Sequence, residues 1–185
     1  MRPCILAPNF AADSGDLCAL DCQILKEDNY EMSQNLYPHL IAFHNVLRWV
    51  VLVAALIAIF VALSGWAGGK PTNQNLMRFS LIYVIAIDIE FLTGLLLYFG
   101  ASPITRDALA NMGEAMKSQQ SRFFTVEHTV LMLLAVICAH VGGALARKGR
   151  TALMKYRGAA IAYVISLLLI LSGIPWWRPL LRLGS

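Results

Sequence analysis

Charge is scarce in this chain. Asp, Glu, Lys and Arg make up 14% of its 185 residues, against 58% hydrophobic, and the mean hydropathy is +0.61. These values fall outside the range of soluble globular domains and exclude a fold organised around a water-facing surface. Cysteine is also sparse. Cys18 and Cys22 form a C-x3-C without zinc or redox spacing and without a second pair, which leaves Cys4 isolated. Cys138 lies inside an apolar run and reads as a small buried hydrophobe. There is no P-loop, no glycine-rich dinucleotide turn and no H-E-x-x-H, so hydrolytic catalysis has no support and enzymatic activity stays open. No basic patch interleaved with aromatics lies outside the apolar runs, and nucleic acid is not an expected partner.

What the chain does have is long hydrophobic runs. Four of them, at about residues 40–64, 79–99, 124–146 and 158–174, have the length that a hydrocarbon core of about 30 Å requires. Trp66, Tyr98, Trp176 and Trp177 sit at their ends, where amphipathic rings favour the membrane interface. The loop between runs 1 and 2 carries Lys70 and Arg78. The loop between runs 3 and 4 carries Arg147, Lys148, Arg150, Lys155 and Arg157, and neither loop has an acidic residue. The opposite side mixes Arg106, Lys117, Arg122, Arg178 and Arg182 with Asp107 and Glu114. The positive-inside rule therefore predicts both termini outside.

Between runs 2 and 3, Ser102-Pro103 has the pattern of a helix N-cap with proline at the first position. Ile104, Ala108, Leu109, Met112, Ala115 and Met116 follow at helical spacing and predict an interfacial amphipathic helix over the outer mouth. The expected fold is all-α: a multi-pass four-helix transmembrane bundle in contact with lipid, spanning residues 32–185. Residues 1–31 hold no long apolar run and have an irregular acidic composition, which predicts a disordered extension. The other reading is a non-native extension. Lys26-Glu27-Asp28 can be encoded by a purine-rich ribosome-binding sequence shortly before Met32, which would then open the native chain.

Within so apolar a chain, the ionisable residues in the runs are the functional candidates, because burying them in lipid is costly. His44 and His128 each lie about four residues into a run that starts outside, so at about 1.5 Å per residue they share nearly one depth. His44, Arg48, Val51, Ala55, Ala58 and Ala62 form one stripe. His128, Met132, Ala135, Ala139, Gly142 and Ala146 form another, and both suit close packing beneath a polar residue. Two neutral imidazoles from separate helices are the axial-ligand pattern of haem b, provided helices 1 and 3 are neighbours. Arg48 then pairs with a propionate or with Glu90, which shares a face with Tyr83, Ile87, Gly94 and Tyr98. Glu127, near the outer surface, is placed to relay protons beside a haem or quinone. Asp88 must face another neighbour, and His140, far below His128, has Tyr163 as its expected partner. The competing reading makes Arg48, Asp88, Glu90, His140 and Tyr163 a structural polar network.

The motifs His44-x-x-Leu47-Arg48-Trp49, Gly65-Trp66, Asp88 with Gly94-Leu-Leu-Leu-Tyr98-Phe99, Arg122-Phe-Phe-Thr-Val-Glu127-His128 and Ile174-Pro175-Trp176 can be taken together. They resemble a family of small four-helix bacterial membrane proteins commonly named cytochrome b-like, over about Tyr37 to Arg178. The resemblance implies the bacterial inner membrane, haem b, and electron exchange with quinol or other membrane redox subunits. Better-known four-helix b-type cytochromes hold two haems on four histidines, whereas this chain offers one pair. Two further functions stay open. One is a non-catalytic accessory or assembly subunit. The other is a proton or metal carrier using Asp88, Glu90 and His140, for which the Ala/Leu-rich middle of helices 1 and 4 offers no polar path.

Overall fold

The computed structural model describes residues 13–69, 71 and 74–177, the first of these to residue 34 as backbone only. Those residues are almost entirely helical. Helix α1 spans Asp13–Ala67 and α2 Gln74–Leu96, the latter continued by a π-helical turn, Leu97–Ala101. Short helices α3 (Pro103–Ala110), α4 (Met112–Ala115) and α5 (Gln119–Arg122) lead into a second π turn, Phe123–Glu127. Helix α6 is His128–Lys148 and α7 is Ala152–Gly173. Four segments are long and apolar enough to cross a membrane: Asn35–Ala67, Gln74–Ala101, Gln119–Lys148 and Ala152–Gly173.

Two sequence expectations change. The backbone is helical from Asp13, where an irregular extension was expected, and α1 runs on through Pro38 into the first span. Extending an existing helix fixes one residue per added hydrogen bond, so a nucleated span propagates cheaply into adjoining sequence. Residues 1–12, and with them Cys4, lie outside the described residues, as do Lys70, Arg178 and Arg182 of the topology argument. The second change is at the outer mouth. One continuous amphipathic helix was expected, but the segment breaks at Asn111 (φ −136°, ψ 67°) and again at Ser118. Only α3 keeps the expected form, with Pro103 in its first turn after Ser102 and with Thr105 and Ala108 buried.

The helix ends follow from local chemistry. Gly69 sits at φ +55°, the left-handed conformation that a glycine adopts without a Cβ clash, and α1 stops there. Arg147 and Lys148 occupy the last turn of α6, where cations oppose the negative end of the helix dipole. The Thr151 side chain accepts a hydrogen bond from Met154 N at 3.2 Å and starts α7.

The helices form a ring in which α1 packs on α2, α2 on α6, α6 on α7 and α7 on α1. Helices α1 and α6 therefore face each other across the diagonal, as do α2 and α7. Both stripes read from the sequence point to the axis: Val51, Ala55, Ala58 and Ala62 from α1, and Ala135, Ala139, Gly142 and Ala146 from α6, are buried. Outward positions are large and apolar, such as Phe60, Leu92, Leu96 and Leu168, as a lipid-facing surface requires.

Tyrosines fill the space that the small residues leave. Tyr83 and Tyr163 meet edge to face, with ring centres 5.3 Å apart. A Cβ on Gly142 would overlap the Tyr163 ring, and one on Gly65 would overlap Tyr156. The Ser166 hydroxyl donates to Ala135 O at 2.7 Å, so its single proton is used and Tyr83 OH donates to Ser166 Oγ, also at 2.7 Å. One hydroxyl chain thus ties α2, α7 and α6 together in the core.

Candidate functional site

The site lies at the end of the bundle covered by α3, α4 and α5. There His44 from α1 and His128 from the first turn of α6 come together, with ring centres 6.4 Å apart and ring planes at 78°. Side-by-side packing of helices 1 and 3 was the expected condition for this meeting, and it does not hold. The helices are diagonal, and the side chains meet because both project to the bundle axis at one depth. In a ring of four helices the axis is where diagonal side chains meet, so backbone adjacency is not needed.

Each imidazole has a group behind it. His128 Nδ1 lies 2.8 Å from Gly173 O, the last residue of α7. A carbonyl oxygen only accepts, so Nδ1 carries the proton and Nε2 keeps its lone pair. His44 Nδ1 lies 3.3 Å from Glu90 Oε1, with both side chains largely buried. The two atoms are close without meeting hydrogen-bond geometry, and His44 Nδ1 is buried with no hydrogen-bond partner among the described residues. Glu90, one of two expected partners of Arg48, lies against His44 and within electrostatic reach of Arg48. Its second oxygen, Oε2, is buried with no partner among the described residues. Arg48, one turn along α1, lines the same cavity.

That cavity is half-enclosed and measures about 280 Å³. Its walls include His44, Arg48, Glu90, Gly94, His128 and Met132, closed by Tyr98, Thr105 and Phe124. Gly94 faces His44 across the cavity, and a Cβ there would reach ordinary contact, 3.6 Å from His44 Cε1. The volume falls just below the range for small-molecule pockets, roughly 300–1,000 Å³.

The two π turns form the rim, a feature the sequence reading did not anticipate. A π turn widens the helix and loosens its hydrogen-bond ladder, leaving carbonyls open to side chains, and such turns are frequent at functional sites. Here Tyr98 OH donates to Thr125 O at 3.2 Å, joining one π turn to the other. Thr105 Oγ1 donates to Tyr98 O at 2.8 Å and anchors α3, and Thr129 Oγ1 donates to Phe124 O at 3.2 Å. Nothing in residue spacing marks a π turn in advance, because its sequence is as apolar as the helix around it.

The remaining candidates lie elsewhere. Glu127, expected as a cofactor or relay group, is paired with Arg122 at 2.8 Å; both are about half exposed, and neither lines the cavity. The π turn immediately before His128 sets Glu127 on the outer side. His140 pairs with Asp88 on α2 at 2.8 Å and not with Tyr163, whose ring is held in the Gly142 notch. Thus Asp88 does face another neighbour, as its angle predicts. Among the described residues no cluster of three or more His, Cys, Asp or Glu is present.

Comparison with known proteins found no matching family model, no similar curated protein and no similar solved structure. The likeness to cytochrome b-like proteins therefore rests on the motifs alone.

Proposed function

We propose that this protein is a membrane-embedded b-type cytochrome-like protein that holds one haem between His44 and His128, near the outer face of the bacterial inner membrane, with both termini outside. The observation that carries this reading is the facing histidine pair. The two imidazoles would hold the haem iron, one contributed by each of two diagonal helices whose side chains meet on the bundle axis. Their ring centres stand 6.4 Å apart. Ligating histidines usually donate their other N–H to a carbonyl or carboxylate; Gly173 O accepts such a bond from His128, and Glu90 Oε1 stands 3.3 Å from His44 Nδ1, near but without a formed hydrogen bond.

A haem b bound there would supply a one-electron couple. The chain's own residues hold and tune the site. Gly173 O fixes the orientation of His128, Glu90 stands beside His44, Arg48 brings positive charge to the cavity wall, and the apolar walls exclude water. Glu90 Oε2 is buried beside the pair with no hydrogen-bond partner among the described residues, an acceptor left open to a bound group. With the histidine pair confined to that end of the bundle, electron exchange would be with a quinol or a redox partner on one side of the bilayer.

The second reading is an accessory or assembly subunit whose intramembrane polar residues are structural. It is favoured by the hydrogen bond of His128 to Gly173 O and by the closeness of His44 to Glu90 within the protein. The absorption spectrum separates the two. Protein produced with haem supplied and purified from membranes should show a reduced-state b-type spectrum. A folded, stable and colourless preparation would overturn the haem reading and leave the accessory role.

A further inference from the structure

The end of the bundle away from the histidine cavity carries a second concavity, on the outside of the α6/α7 pair. It is a groove of about 290 Å³ whose walls include Cys138, Val141 and Leu145 from α6 and Gly158, Ala162 and Ile165 from α7. No charged side chain lines it. Val141 and Ile165 are 49% and 45% exposed, so the groove opens away from the bundle, toward lipid in the membrane-spanning reading. At about 1.5 Å per residue, the α6 wall from Cys138 to Leu145 is about 10 Å long. It runs along the helix, from the middle of α6 toward the turn into α7.

Helical periodicity places a cation at the end of each wall. On α6, Cys138, Val141, Leu145 and Lys148 recur at steps of three or four residues and share one stripe. On α7, Lys155, Gly158, Ala162 and Ile165 do the same. Lys148 and Lys155 therefore extend the two sides of the groove past its apolar end. Lys155 packs over the end of α6, since a Cβ on Gly149 would stand 2.7 Å from Lys155 Cγ. Neither ammonium has an ion-pair partner among the described residues. From Leu145 to Gly158 the chain adds Arg147, Arg150 and Arg157 and holds no acidic residue.

We propose that the α6/α7 groove binds one anionic phospholipid, with an acyl chain between Val141 and Ile165 and the headgroup phosphate at Lys148 and Lys155. The slot is apolar and lies along the helices, as an acyl chain does. Lysine stems reach along apolar surface to the headgroup level, where two unpaired ammonium groups donate to an anionic phosphate. A zwitterionic headgroup brings its own cation and gains less from that pair. The proposal rests on the membrane-spanning reading and is independent of haem.

The test is native mass spectrometry of the full chain released from detergent micelles, titrated with palmitoyl-oleoyl phosphatidylglycerol or with phosphatidylcholine of the same chains. One phosphatidylglycerol should bind about 30-fold more tightly than phosphatidylcholine, the effect of two lysine contacts. Lys148→Gln with Lys155→Gln should remove that preference. Arg78→Gln with Arg157→Gln takes the same charge from the same end of the bundle but away from the groove. Arg78 bonds Gln74 on α2, and Arg157 lies over the Trp66 ring at 5.8 Å, so the preference should be unchanged. Val141→Phe with Ile165→Phe fills the slot without touching a charge and should remove the one-lipid adduct, with circular dichroism reporting intact helices. Equal binding of the two lipids, a preference that survives the double lysine variant, an equal loss in the double arginine variant, or undiminished binding in the filled variant would each overturn the proposal.

Discussion

His44 and His128 meet ring to ring at 6.4 Å from helices that are not neighbours. The meeting depends on three things at once: equal depth, inward rotation, and small residues that let four helices close around one axis. A prediction about the site is therefore also one about the bundle.

Replacing either histidine should abolish the b-type spectrum and leave the helices intact. His44→Ala and His128→Ala are each expected to lose the reduced-state absorption band while the far-ultraviolet circular dichroism stays unchanged. Retention of the full band in either variant would remove that residue from the site.

Glu90→Gln separates a tuning role from a structural one. If Glu90 orients a ligating histidine, the variant should lose about 10–100-fold in haem affinity by titration. The structural reading expects instead a lowered melting temperature with no effect on cofactor.

Gly94→Leu tests the cavity without touching a ligand. The added side chain points at His44 Cε1, which a Cβ alone would approach to 3.6 Å, and would fill the space beside it. Haem uptake should fall to background with the fold preserved, as measured by absorbance and circular dichroism on the same sample.

The core chain through Ser166 sets a stability prediction. Tyr83→Phe removes the donor to Ser166 Oγ but leaves the bond from Ser166 to Ala135 O, so the cost should be about 1 kcal/mol. Tyr83→Phe and Ser166→Ala together should cost less than the sum of the two, a coupling that a double-mutant cycle in detergent unfolding would measure.

Glu127→Gln is expected to change little. Its ion pair with Arg122 is about half exposed, and such pairs contribute roughly 0–1 kcal/mol. A large loss of haem affinity in this variant would put Glu127 back at the site.

The four spans and their inward faces were legible in the sequence. Hydropathy over some twenty residues is a property of the local chain, and helical periodicity projects side chains without reference to any neighbour. On that basis Val51, Ala55 and Ala58 face inward, as do Ala135 and Ala139, and His44 matches His128 in depth. The sequence also indicates that Asp88 and Glu90 point different ways, because two residues on one helix are separated by about 200°.

What each polar side chain touches was decided only by the tertiary structure. Glu90 meets His44 as well as the charge of Arg48; His140 could have met Tyr163 and meets Asp88. The choice depends on which helices are adjacent around the ring and how they are turned, and many arrangements bury the same stripes equally well. The π turns at Leu97–Ala101 and Phe123–Glu127 belong with these, because the bond that joins them, from Tyr98 OH to Thr125 O, links positions 27 residues apart. Local chemistry determined the elements and their buried faces; pairing across the axis determined the site.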